Sequence, residues 1–238
     1  MQMKRIFILI LALFPILNCY CQTIDAHNKC AVEKFNLKDY QGAIEEFTEV
    51  IAINPTDSMA YFDRAMVKEK LNDYAGAIAD YSKAIDINPT NPDNYYLRGL
   101  VKNKLKDYVG AIADYDKALK IEPGNADAYF FRGIAKSALQ NFKSAIKDYT
   151  KAITLHSDHA AEAYGNKGWA KTERHNLKGA IEDYDKAIEL DPTNPEYYLK
   201  RGEIKIKTGQ KDSGCLDLNK YRELGGEYGR MVIKIPCN

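Results

Sequence analysis

The sequence predicts an all-α chain of six consecutive helix–turn–helix units, on three observations. Pro55, Pro89 and Pro123 lie 34 residues apart and Pro192 follows Pro123 by 69, a period of 34 with one residue inserted near His156 to Ala161. With each proline set at place 32 of a unit, large side chains fall in register. Place 4 holds Tyr61, Tyr95, Tyr129, Tyr164 and Tyr198; place 17 holds Tyr40, Tyr74, Tyr108, Phe142 and Leu177; place 24 holds Phe47, Tyr81, Tyr115, Tyr149, Tyr184 and Leu218. Small residues recur beside them: Ala31, Ala65, Gly99, Gly133, Gly168 and Gly202 at place 8, and Ala43, Ala77, Ala111, Ala145, Ala180 and Gly214 at place 20. Large against small at these spacings suits two helices packed closely side by side, and a fixed period over most of a chain marks a repeat architecture.

The units start near Ile24, Ser58, Pro92, Ala126, Ala161 and Pro195 and fill residues 24–224. In each, a first helix carries places 4 and 8. A tight turn follows at Asn72-Asp73, Lys106-Asp107 and Gln140-Asn141, and a second helix carries places 17, 20 and 24 and the alanines Ala84, Ala118, Ala152 and Ala187 at place 27. A closing Asn-Pro or Glu-Pro ends the second helix, because proline disfavours helical backbone in the residue before it. Twelve of the seventeen tyrosines sit in the three aromatic columns, which assigns them to the scaffold. The end units deviate: the first has His27 where the others have tyrosine, and the sixth has Gly214 and Tyr221 where the others have alanines. Residues 225–238 follow, with Met231, Ile233 and Ile235 read as a cap over the last hairpin.

Ahead of the array, Lys4 and Arg5 precede an apolar run from Ile6 to Leu17, too short for the roughly twenty residues of a membrane-spanning helix. Cys19 and Cys21 fit the two small-residue subsites read by a signal peptidase, so residues 1–21 are expected to be a cleaved export signal, with the mature chain starting at Gln22. The expected location is periplasmic or secreted. The alternative is a lipoprotein signal that lipidates Cys19 and tethers the chain to the envelope, for which Asn18 is a poor neighbour. Loss of Lys4 and Arg5 leaves 32 of the 34 bases against 33 acids, a net charge of −1, which argues against nucleic acid as a partner. A hydrophobic fraction of 45% excludes a disordered chain. An oxidising compartment makes Cys215 and Cys237, 22 residues apart, a disulfide candidate, and leaves Cys30 as a small buried apolar side chain.

These six registered copies resemble the tetratricopeptide repeat over nearly all of the mature chain, which implies a right-handed α-solenoid. Two columns depart from the family pattern. Place 7, usually apolar, is Arg64, Arg98, Arg132, Lys167 and Arg201; place 11, usually aromatic, is Lys34, Lys68, Lys102, Lys136, Lys171 and Lys205. Place 23 carries Asp80, Asp114, Asp148, Asp183 and Asp217, so every unit with a base at place 7 has an aspartate on its second helix. The expectation is a structural ladder of partly buried bridges, with the arginine and lysine stems on the neighbouring tyrosines. The first unit, with Cys30 and Glu46 at these places, is expected to break the pairing.

The resemblance also implies an inner groove lined by the first helices. There Phe62, Met66, Tyr96, Leu97, Leu100, Phe130, Phe131, Ile134 and Trp169 form an apolar stripe suited to a peptide or helix. The lysine–asparagine–arginine clamp by which one variant of the family holds acidic peptides is missing, its places being taken by Asn28, Val32, Asp63, Asp93 and Leu97. Place 2 is mostly acidic (Asp25, Asp93, Asp127, Glu162, Glu196), which favours a partner with basic residues flanking its apolar anchors. Catalytic motifs and cofactor-binding loops do not appear, and His156 and His159 form only an isolated pair in the loop with the insertion, so no enzyme, metal or cofactor is expected. The expected function is a noncatalytic protein-interaction scaffold of the bacterial envelope. The alternative is a structural solenoid that self-associates.

Overall fold

The computed structural model describes residues 23–226. The expected signal segment with Cys19 and Cys21, and the expected cap beyond Gly226 with Cys237, lie outside the described residues. Twelve α-helices fill the described chain: α1 (Ile24–Asn36), α2 (Tyr40–Ile53), α3 (Ser58–Lys70), α4 (Tyr74–Ile87), α5 (Pro92–Lys104), α6 (Tyr108–Ile121), α7 (Ala126–Ala138), α8 (Phe142–Thr154), α9 (Ala160–Glu173), α10 (Leu177–Leu190), α11 (Pro195–Lys207) and α12 (Lys211–Glu223). They divide into two compact units that part after Pro89, the first with α1–α4 and the second with α5–α12. Within each unit every odd-numbered helix pairs with the next even one into a hairpin. Successive hairpins stack through α2 on α3 in the first unit, and through α6 on α7, α8 on α9 and α10 on α11 in the second.

Local sequence explains where each helix begins and ends. Between the helices of a hairpin the chain turns through one left-handed residue, Lys38, Asn72, Lys106, Gln140 and His175 at φ near +60° and Gly209 at +86°. The next side chain then caps the second helix: Asp39, Asp73, Asp107, Asn141 and Asn176 accept from the backbone N–H three residues on. The donating residue is glycine in four hairpins because a Cβ on Gly76 or Gly110 would lie 2.1 Å from the capping carboxylate. Where Ser144 stands instead, the cap bond lengthens to 3.4 Å from the 2.9 Å seen at Gly76. Asn54, Asn88, Glu122 and Asp191, each before a proline, leave the helix with non-helical backbone at ψ of 86 to 88°.

The junction with the inserted residue differs because Ser157 replaces the proline. Helix α8 ends through left-handed His156. The Ser157 hydroxyl accepts from the His159 N–H at 3.1 Å and donates to Asp127 Oδ1 at 2.7 Å, while the ring of His159 stacks on Phe130 at 4.6 Å and 7°. This loop is thus tied to α7 through Ser157 and His159, while His156 and Asp158 stay exposed.

In five of the six hairpins the core is an aromatic ring from the second helix seated on a small residue of the first, and in the sixth Leu218 takes the place of the ring. Tyr81 and Tyr115 are fully buried, Tyr149 and Tyr184 nearly so. A Cβ on Gly99 or Gly133 would lie 2.8 Å from the Tyr115 ring or 2.7 Å from the Tyr149 ring. Two of the tyrosine hydroxyls are satisfied within the hairpin: Tyr81 donates to Glu69 at 2.8 Å and Tyr149 shares a 3.1 Å bond with Ser137, and both burial and the nearby Glu69 carboxylate raise the Tyr81 phenol far above its ordinary value.

Beside the rings run the charged side chains. Asp80, Asp114, Asp148 and Asp217, at most 5% exposed, each receive a two-pronged arginine from the first helix: Arg98 Nη2 and Nε lie 2.6 and 2.9 Å from Asp114, and Arg64, Arg132 and Arg201 repeat the geometry. A lysine one turn on approaches the same carboxylate, Lys68, Lys102, Lys136 and Lys205 at 2.7 to 2.9 Å. In the fifth hairpin Lys167 and Lys171 hold Asp183 at 3.0 and 2.6 Å. The lysine heads thus join the ion pairs, whereas the expectation had only their stems on tyrosine. The tyrosines of place 4 underlie the place-7 bases instead, with Arg132 5.1 Å from the centroid of Tyr129 and Lys167 4.7 Å from that of Tyr164. Arg132 and Arg201 also reach the preceding hairpin, at Asp116 (2.6 Å) and Asp185 (2.7 Å).

In the first hairpin Cys30 supplies no base at place 7, as expected, but Glu46 is still held, by His27 (2.6 Å) and Lys34 (2.5 Å). Cys30 is buried but disulfide-bonded, not a spare thiol; Cys215 is disulfide-bonded too, while Cys237 lies outside the described residues.

Replacing Asp114 by alanine strands Arg98 and Lys102 in a site that is nearly closed to water, and is expected to cost about 3 kcal/mol. Thermal unfolding followed by circular dichroism measures this, and a midpoint equal to that of the parent contradicts it.

Candidate functional site

The stripe expected on the first helices is divided between the two units, Phe62 and Met66 in the first and the other seven residues in the second. In the first unit, Met66 on α3 is 38% exposed and Val32 on α1 54% exposed. With Phe35 of α1, Phe47 of α2, and Asp63 and Val67 of α3 they line a pocket of about 130 Å³. Phe62 is half-buried, its ring edge-on to Tyr81 at 5.8 Å.

In the second unit most of the stripe packs inward. Tyr96, Leu100 and Phe131 lie against the core of Tyr115 and Leu119, and Ile134 against that of Phe130 and Tyr149. Leu97 is half-buried. Phe130 is 1% exposed and so is no surface anchor: it fills the space between Ala145, Tyr149, Ala152 and Ala163 and is covered by the His159 ring. Trp169 is the open member, 38% exposed and standing on the Phe142 ring at 5.2 Å and 90°. It borders a second pocket of about 180 Å³ with Gly165, Asn166, Tyr184, Glu196, Tyr197 and Lys200. Gly165 occupies the place that Phe62, Tyr96 and Phe130 hold elsewhere, and the Tyr197 ring of α11 lies where a Cβ would be, 2.6 Å from it.

Each pocket thus joins apolar walls to a carboxylate. Asp63 and Glu196 pair with no base among the described residues, in a chain where the buried acids of the hairpins each hold two. Burial, with Asp57 nearby, pushes the Asp63 carboxyl up to about 6 from its ordinary 3.8. The acidic column is otherwise partly engaged: Asp127 accepts from Ser157, and Glu162 lies 3.5 Å from His159. Sequence reasoning missed Phe35, Asp63 and Tyr197 as pocket walls. Asp63 carried a signal, being the one acid in a column of Lys29, Leu97, Phe131, Asn166 and Lys200. Among the described residues, no three histidines, cysteines or carboxylates converge as metal ligands, and no helix is long and apolar enough to cross a membrane.

A carboxyl that holds its proton more tightly in the folded chain than in the unfolded one withdraws stability as the pH rises from about 4 through about 6. Asp63→Asn, uncharged and of the same shape, is therefore expected to stabilise the protein by about 1 kcal/mol at pH 7.5, and by less at pH 4. Paired melts of the two proteins at these pH values measure the difference; an equal or destabilising effect at pH 7.5 contradicts it.

The hairpins described above are found in known proteins. A TPR repeat model matches residues 70–106 and 168–209, and two further tetratricopeptide repeat models match residues 92–125 and 126–159. A comparison with curated proteins gives no match. Among solved structures, YrrB, described as a TPR protein with an unusual peptide-binding site, aligns with a TM-score of 0.68 at 22% identity over 76% of this chain and 93% of that one. PilW, described as a widely conserved type IV pilus biogenesis factor, aligns at 0.68 with 17% identity over 85% and 94%. MamA aligns at 0.67 with 21% identity over 73% and 94%. At these identities the likeness is one of fold. Since the three repeat models together match residues 70–159 and 168–209, more than half of the 238, and the helical hairpin recurs throughout the described residues, the chain belongs to the tetratricopeptide repeat family.

Proposed function

We propose that this protein is a noncatalytic protein-interaction scaffold of the bacterial envelope, whose first-helix faces hold a peptide or helix with apolar anchors flanked by basic residues. The observation that carries this reading is the pairing of a half-open apolar side chain with an unpaired carboxylate in a pocket of each unit, Met66 with Asp63 and Trp169 with Glu196. Most of the remaining stripe is engaged in hairpin packing, so the hydrophobic gain from docking is concentrated at these two places. Acids in the first turns of the first helices, Asp93 and Glu196 among them, also complement the helix dipole, and their charge attracts a basic partner. The peptide-binding site ascribed to YrrB supports the same use of the fold.

Export rests on the Lys4-Arg5 pair and the apolar run behind it, and the disulfide-bonded Cys30 and Cys215 suit an oxidising compartment. Amino-terminal sequencing of the chain recovered from a secreting host is expected to start at Gln22; a membrane-bound product starting at Cys19 supports the lipidated alternative instead. For the binding face, panning a random dodecapeptide library is expected to enrich apolar residues next to lysine or arginine. Met66→Ser and Trp169→Ser are each expected to lower by about tenfold the affinity for the peptides held in their own unit. Unchanged affinity counts against this face as the site.

A further inference from the structure

We propose that the pocket of the first unit is a subsite for one lysine or arginine side chain of the bound segment, the alkyl stem lying on Val32, Phe35, Met66 and Val67 and the charged head meeting Asp63. The inference rests on the binding face proposed above and names what one pocket of it reads. Its walls are apolar on three helices, α1, α2 and α3, and its single acidic group is Asp63. That carboxylate has no base among the described residues: Lys34 is held by Glu46, and Arg64 and Lys68 are held by Asp80. The charge that acts on Asp63 is that of another acid, Asp57 at the start of α3.

The chemistry of the occupant follows from this combination. A purely apolar side chain would cover the walls but also remove water from a carboxyl that has no partner, which is unfavourable. A small polar group would satisfy the carboxyl and leave Met66 and Val32 in water. A lysine or arginine does both, because its methylenes pack on apolar surface while its head forms a charge-assisted hydrogen bond. Rung acids elsewhere in the protein meet the same need with bases of their own hairpin, so at Asp63 the missing base is left for the partner to bring.

The test uses the full mature chain and a peptide recovered from the dodecapeptide library, compared with the same peptide carrying norleucine for its lysine, which keeps the stem and removes the charge. Binding to the parent is expected to weaken about tenfold with norleucine, and binding to Asp63→Asn to change less than twofold, with the apolar anchors still selected. Asp63→Asn is expected to fold, since it is the more stable form at neutral pH. Equal norleucine penalties in the two proteins, or selection of an apolar residue in place of the base by both, overturn the subsite while leaving the binding face standing. Failure of the parent to enrich any peptide overturns the binding face and this inference with it.

Discussion

Everything in the hairpin is arranged around one buried carboxylate of the second helix held by two bases of the first. An aspartate that is 3 to 5% exposed cannot stay ionised without compensation, and the arginine fork supplies two directed donors while the lysine supplies a third charge contact. The partners are set by spacing: the arginine lies 16 residues before its aspartate and the lysine 12 before it. A slip of one helix along the other would strand a charge in the core, so the ladder defines the register in which the rings of place 24 meet the small residues of place 8. Apolar side chains could stabilise such a hairpin equally well, but they would tolerate the slip.

The same bases also link hairpin to hairpin. Arg132 and Arg201 spend their remaining guanidinium nitrogen on an aspartate of the preceding second helix, and Arg64 donates to Thr48 at 3.0 Å in the corresponding place. Rings of place 4 lie under the bases, which explains a column of tyrosines that is mostly half-buried rather than core. Against this background Asp63, half-buried, is exceptional, and Glu196 is an exposed acid beside the second pocket. Both are acids beside apolar surface with no base among the described residues, and in each case the neighbouring large side chain, Met66 or Trp169, remains open. A fold that answers its buried charges so consistently makes an unanswered one a mark of function.

Where the repeat is broken, other interactions substitute. Loss of the proline between the fourth and fifth hairpins lets α8 end through a left-handed residue, and the Ser157 hydroxyl and the stacked His159 ring then secure the loop. Phe130 is drawn into the core by that stacking, and so leaves the surface that its place in the repeat implies.

The sequence by itself determined the number of hairpins, their turns and the place-7 and place-23 columns of the ladder, because each depends on local rules or on a period: proline after the second helix, a capping Asp or Asn, a ring opposite a small residue. What it could not determine was exposure along the first helices, where Phe130 and Trp169 share one stripe yet one is sealed and the other open. Nor did it show that Glu46 recruits His27, or that Asp63 faces an apolar pocket without a base. These depend on which atoms of separate helices come within a few ångströms of one another, and only the packing of one hairpin on the next decides that.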